Sequence, residues 1–158
     1  MPIDGEQYKR LMASWPSGVT IVTSHDDDRI QGMTVSAFTE VSLDPPLVLF
    51  CADKATITNE LIHASGVFTV SILASDQDQL SNRFASKKHE HERFVGLDCT
   101  TGSTGCARIP GAVAWLDCTV QQSVDGGDHW VYIAQVETAE TTDRTPLLYF
   151  RQSYRELS

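Results

Sequence analysis

The chain has 158 residues and a mass of 17.4 kDa, which fits one domain with a proper hydrophobic core. Hydrophobic residues at 41% and charged residues at 21% match an ordinary soluble globular protein, and no apolar run approaches the ~20 residues needed to span a bilayer. A formal charge of -9 argues against a general nucleic-acid surface, which needs clustered Lys and Arg, though a local group of donors can still hold a small anion.

The first ten residues, MPIDGEQYKR, lack the apolar stretch of a secretory signal. Glu6 to Trp15 places Tyr8, Leu11, Met12 and Trp15 at the spacing of a short amphipathic helix, which Pro16-Ser17-Gly18 ends. Val19 to Ser24 is β-rich and reads as the first strand. His25 to Arg29 is a polar hairpin tip, and its acidic run reads as a solvated turn. Gly32 to Phe50 then reads as a strand, a turn and a second strand. Met33, Val35, Ala37 and Thr39 alternate with Thr34, Ser36 and Phe38. Asp44-Pro45-Pro46 interrupts, because proline gives a ladder no N–H. Leu47 to Phe50 resumes as a buried run.

Strand character stops at Cys51-Ala52. A helix is expected from Thr56 or Thr58 to Ala64, capped by either threonine and closed by Gly66. Val67 to Leu73 is another strand. Asp76 is expected to cap a second helix holding Leu80, Arg83 and Phe84. Lys87 to Arg93 reads as a charged loop, and Phe94 to Leu97 as a return to the body. Thr100 to Gly111 is Gly- and Thr-rich and expected to be loop. Two long strands, Ala112 to Val124 and His129 to Thr141, flank the turn signal Asp125-Gly126-Gly127-Asp128. Pro146 to Phe150 is a last short strand. With no repeat, linker or composition break, residues 1–158 read as one domain, a closed, mainly antiparallel β-barrel with a few short helices. Cys51, Cys99, Cys106 and Cys118 form no CxxC pair and no metal spacing. They are read as the reduced thiols of a cytoplasmic protein, with a Cys99–Cys106 bridge the less favoured reading.

Three features bear on chemistry. Asp53 to Thr58 puts Lys54 and two hydroxyls at a helix N-terminus, where free N–H groups and a partial positive charge can hold a phosphate. The pattern alone fits an ordinary capped helix better. Thr34, Ser36 and Thr39 can bond the edge of a heterocycle or simply face water, and only the nearby Lys54 group gives the first reading weight. A polar strand wall beside an anion site is the layout a mononucleotide needs. His129, after the glycine turn, can guide a nicotinamide or carry a proton, or be a surface histidine. His89 and His91 resemble a metal tract only weakly. There is no GxSxG elbow and no GxGxxG after a strand, so neither a serine nucleophile nor a Rossmann site is indicated.

Taken in order, Ser17 to Thr23, Gly32 to Phe38, Val41 to Val48, Gly66 to Leu73, Arg83-Phe84-Ala85, Gly127-Asp128-His129 and Pro146 to Tyr149 resemble the short-chain flavin reductase family. These are FMN-binding split-barrel proteins that serve two-component monooxygenases. The resemblance implies a Greek-key split β-barrel forming a homodimer, with flavin near the interface. It implies Thr34, Val35, Ser36 and Ala37 along the isoalloxazine, mostly through main-chain groups. Cys51, Ala52, Asp53, Lys54 and Thr58 would surround the ribityl phosphate. Phe84, Ala85 and Ser86 would form a loop over the flavin, and Ser86 departs from the glycine of many relatives. His129 would lie near flavin and nicotinamide, and Tyr154 would close the nicotinamide side. The implied activity is hydride transfer from NADH or NADPH to FMN, with FAD also possible, and delivery of reduced flavin to a separate oxygenase. A flavin- or haem-binding barrel without turnover, acting as carrier or sensor, is the alternative. The absence of an arginine cluster for a 2′-phosphate favours NADH.

Overall fold

The computed structural model describes residues 1–158. In chain order the elements are α1 (Gly5–Met12), β1 (Ser17–Gly18), β2 (Thr20–His25), β3 (Ile30–Val35), β4 (Phe38–Ser42), β5 (Leu47–Asp53), α2 (Ile57–Ser65), β6 (Val67–Ile72) and α3 (Asp78–Ala85). A 3-10 turn at Glu90–Glu92 is followed by β7 (Thr100–Thr101), β8 (Ala107–Arg108), β9 (Ala114–Gly126), β10 (His129–Thr141), β11 (Leu148–Phe150) and β12 (Ser153–Arg155).

Seven strands form one antiparallel sheet in the order β3-β2-β6-β9-β10-β5-β4. Its two edges, β3 and β4, are consecutive in the chain and joined only by Ser36 and Ala37. Laid flat, seven strands would put those edges about 29 Å apart. The link from Val35 to Phe38 can reach about 11 Å. The sheet therefore curls until its edges meet, leaving a barrel with an open seam along Ser36–Ala37. The alternation from Met33 to Thr39 suggests one strand, but the chain is two strands there. Neither Gly nor Pro marks the break, so periodicity carries no sign of it.

The barrel interior is filled by Val22, Phe50, Phe68, Val70, Tyr132 and their neighbours, with Ile62 of α2 packed among them. Helix α2 carries the chain from β5 across to β6. Thr56 caps it by accepting from the Asn59 N–H at 3.2 Å, and Gly66 ends it at φ 74°, a conformation that favours glycine. A second cluster of Val19, Ile21, Leu73, Phe84, Ile109 and Leu147 lies under α3 and the later loops. Asp76 does not cap α3. The helix begins after Gln77, which makes no side-chain cap, and Asp76 pairs with Arg144 at 2.6 Å.

Three further expectations change. Helix α1 forms over Gly5–Met12 with a capping box between Asp4 and Gln7, but it buries no residue, and Tyr8, Leu11, Met12 and Trp15 stay exposed. The tail adds β12, paired with β11. The turn between them places Arg151 and Gln152 at positive φ, which no residue type there announces. Residues 100–111 are not free loop. They carry the β7–β8 pair and are pinned to the barrel. The fully buried Asp117 carboxylate accepts from Thr69 Oγ1 at 2.6 Å, from Thr138 Oγ1 at 2.7 Å and from Arg108 Nη2. A Cβ on Gly102 would collide with that carboxylate, which explains a glycine there. Thr23 Oγ1 donates to the Ala107 carbonyl at 2.6 Å. All four cysteines are free thiols. No helix is long and apolar enough to cross a membrane.

Candidate active site at the barrel seam

A cleft of about 270 Å³ opens along the seam. One wall is the end of β3 and the Ser36–Ala37 link. The Ser36 carbonyl accepts from the Phe38 N–H, and the Ala37 carbonyl from the Cys51 N–H, both at 3.0 Å. No protein group accepts from the main-chain N–H of Ser36 or Ala37. Both residues are exposed, so the seam presents two adjacent free donors. This follows directly from the topology, since an edge strand that ends at a link has no neighbour on that side. Thr34 lines the cleft, but its hydroxyl donates to the Ser81 carbonyl at 2.6 Å. Val35 points into the core, and its carbonyl accepts from Thr20 Oγ1 at 2.7 Å. The wall thus works through its backbone.

At the β5 end, Cys51, Asp53, Ala55 and Thr56 line the cleft. Burial raises the Cys51 thiol above its ordinary range, so it stays protonated at neutral pH. Asp53 Oδ1 accepts from the Ala55 N–H at 2.8 Å, and Thr56 Oγ1 donates to the Asp53 carbonyl at 2.9 Å. These bonds set the approach to α2, whose first N–H groups lack helical partners. Ala52 is buried in the barrel. Thr58 is fully buried, and its hydroxyl has no partner. Lys54 does not line the cleft. Its ammonium bonds Asp125 at 2.9 Å and sits 4.9 Å from the Trp130 ring centroid. That lysine, followed by the Gly127 N–H, holds the Asp125 carboxyl below the usual range.

His129 starts β10, opposite Asp53 of β5, and reaches the cleft. The turn before it is only Gly127-Asp128, with Gly127 at φ 86°, which fits a tight hairpin. Its Nδ1 lies 2.7 Å from Asp128 Oδ1, and the histidine holds the Asp128 carboxyl low. With Nδ1 occupied, Nε2 is the ring nitrogen left for a ligand.

Phe84 and Ala85, at the end of α3, form the facing wall. The Phe84 ring lies so close to β3 that a Cβ on Gly32 would sit 3.0 Å from it, and Phe94 stacks edge-on against it at 5.1 Å. Ser86 follows, with an extended backbone at the helix end. Tyr154 does not line the cleft. Its hydroxyl bonds Ser81 Oγ and Asn82 Oδ1, both at 2.8 Å, and so ties the tail to α3. Sequence reasoning missed Arg93, Lys87 and Glu90, which line the cleft. All three lie in the stretch read as charged loop. The one available cue is Phe94, whose return to the core pulls Arg93 inside.

A larger cleft, about 880 Å³, lies beyond the seam and shares Ser36, Ala37 and Cys51 with the first. Exposed Tyr8, Met12 and Trp15 line it together with Thr39.

The model of the flavin reductase like domain matches residues 12–158. HsaB, the reductase subunit of a flavin-dependent monooxygenase from Rhodococcus jostii, is 36% identical over 153 residues, covering 96% of this chain and 77% of its own. An NADH-dependent flavin reductase from Rhodococcus sp is 38% identical over 154 residues, covering 94% of this chain and 84% of its own. Among solved structures, the NADH:FAD oxidoreductase SgcE6 of Streptomyces globisporus aligns with a TM-score of 0.94 at 34% identity, over 100% of this chain and 96% of that one. SgcE6 is also known in complex with NAD and FAD fragments. The chain belongs to the flavin reductase-like family, and its seamed, unclosed barrel is the split-barrel fold of that family.

Proposed function

We propose that this protein is an NADH-using flavin reductase that reduces FMN or FAD and supplies the reduced flavin to a separate oxygenase. The observation that carries the reading is the pair of unclaimed N–H groups on Ser36 and Ala37, in a cleft that also receives His129 and the approach to α2. A flavin fits these residues. The ring edge needs donors, and the seam has two. The phosphate needs a helix N-terminus, and α2 offers one.

A flavin held here would supply the redox chemistry, as acceptor of the hydride of reduced nicotinamide. The chain's part is placement. Ser36 and Ala37 orient the ring through their backbone, and Phe84 with Ala85 forms the other wall. Ala55 and Thr56 would flank the phosphate at the start of α2, and Lys54 would join them by exchanging Asp125 for it. His129, its Nδ1 held by Asp128, offers Nε2 toward the nicotinamide. Hydride transfer needs no strong acid or base, which suits a site whose donors are mostly main chain.

A homodimer is part of the proposal. It is supported by an exposed apolar surface at the second cleft, where Tyr8 is 55% and Trp15 is 73% exposed, and by exposed Leu11 on the same helix as Tyr8. A single domain per subunit is part of the same reading, and four free thiols fit the reducing cytoplasm. The test is steady-state NADH and NADPH oxidation with FMN, FAD and riboflavin. The expected result is turnover that depends on added flavin and prefers NADH. Absence of flavin-dependent oxidation with either nucleotide refutes the enzyme.

A further inference from the structure

We propose that Arg93 is the positioning residue that sets the gap between the two walls of the seam cleft. The inference deepens the flavin reading and rests on it.

Arg93 is 3% exposed yet lines the cleft. Its Nη1 donates to the Gly32 carbonyl at 2.7 Å, and its Nη2 to the Ser86 carbonyl at 2.9 Å. Gly32 belongs to β3, the strand that leads into the donor wall. Ser86 directly follows Phe84 and Ala85, the facing wall. One planar guanidinium therefore spans both. Lysine cannot do this, because its ammonium is a point charge without a fixed fork.

The remaining contacts point the same way. The only acid near the guanidinium is Glu90, 3.7 Å from Nη1, and Nε has no partner. Burying a cation this far is costly, and the two carbonyls it joins supply most of what offsets that cost. The middle of α3 is fastened to β3 separately, by Thr34 Oγ1 on the Ser81 carbonyl. Arg93 fastens the end, where Phe84 already rests against Gly32. The loop that carries Arg93 is itself held to α3, since Arg83 Nη2 donates to the carbonyls of Glu92 and Val95. Helix α3 is thus fastened to β3 at its middle and, through this arginine, at the end that carries the facing wall.

The test uses the full chain and two variants, Arg93→Met and Arg93→Lys. Titration of the unsubstituted protein with FMN checks the flavin reading itself, and a null result there refutes that reading without touching the clamp. The clamp is read in the ligand-free proteins by amide hydrogen exchange over residues 84–88. Arg93→Met is expected to speed exchange there by about tenfold or more, the loss of a charge-assisted bond. It is expected to raise the Kd for FMN by about tenfold, with the KM for flavin rising more than kcat falls. Arg93→Lys, able to reach one carbonyl at a time, is expected to fall between the two. Unchanged exchange at 84–88 in Arg93→Met overturns the proposal. So does full rescue by lysine, which would make the charge alone sufficient. So does failure of both variants to fold, which would make Arg93 a support of the whole barrel.

Discussion

Lys54→Ala separates phosphate recognition from ring recognition. In the free protein Lys54 is paired with Asp125, at side-chain exposures of 32% and 65%. A pair that open to solvent is screened and adds little to stability. A charge-assisted bond to a phosphate is worth about 1.5–3 kcal/mol. Exchanging the first for the second leaves about 1–2 kcal/mol, or roughly 5–30-fold in Kd. Lys54→Ala is therefore expected to weaken FMN by that factor at low salt and leave riboflavin, which has no phosphate, within about twofold. Asp125→Asn is expected to do the reverse. It removes the competing charge and tightens FMN by up to roughly fivefold. The assay is quenching of flavin fluorescence, titrated at low and high ionic strength, since screening weakens both effects. Equal loss of FMN and riboflavin in Lys54→Ala, or no loss of FMN, refutes the exchange of partners.

His129→Ala is expected to slow flavin reduction in single-turnover measurements at least about tenfold while changing flavin Kd less than threefold; an unchanged reduction rate removes His129 from nicotinamide placement. Asp117→Asn breaks the buried pair with Arg108 and should cost about 3–5 kcal/mol, lowering Tm by roughly 6–20 °C in thermal unfolding. Burial pushes the Asp117 carboxyl up, but hydrogen bonds from Arg108, Thr69 and Thr138 together outweigh it and hold the carboxyl below its ordinary value. Its contribution is therefore present above the ordinary carboxylate range, near pH 4, and is lost as pH falls toward the depressed value. The variant and the parent should converge in acid, and a constant Tm difference down to low pH would contradict this. Leu11→Glu combined with Trp15→Glu is expected to convert a dimer to monomer in sedimentation with little change in monomer stability, because both side chains are exposed within one chain; an unaltered oligomer moves the interface elsewhere.

The long hairpin was legible because β9 and β10 alternate over many residues around Gly127. Helix α2 was legible because Thr56 and Gly66 mark both ends. The seam was not, since the chain passes from one sheet edge to the other through Ser36 and Ala37, two residues that suit a strand equally well. Its consequence, free N–H groups, comes from strand order, which is set by pairings distant in sequence. Asp117 looked like one polar residue in a strand because its partners Thr69, Arg108 and Thr138 lie on three other segments. Arg93 was hidden among charged neighbours, most of whose side chains are exposed. Lys54 was legible as a cation beside a helix start, but its pairing with Asp125 depends on how close the hairpin tip comes.

The most direct measurement is the response of individual backbone amides in nitrogen-labelled protein to added FMN, followed by NMR. The Ser36 and Ala37 amides should shift downfield together, among the largest changes, and saturate with the visible absorbance of the bound flavin. If FMN saturates the protein while those two amides stay where they are, the ring does not rest on the seam.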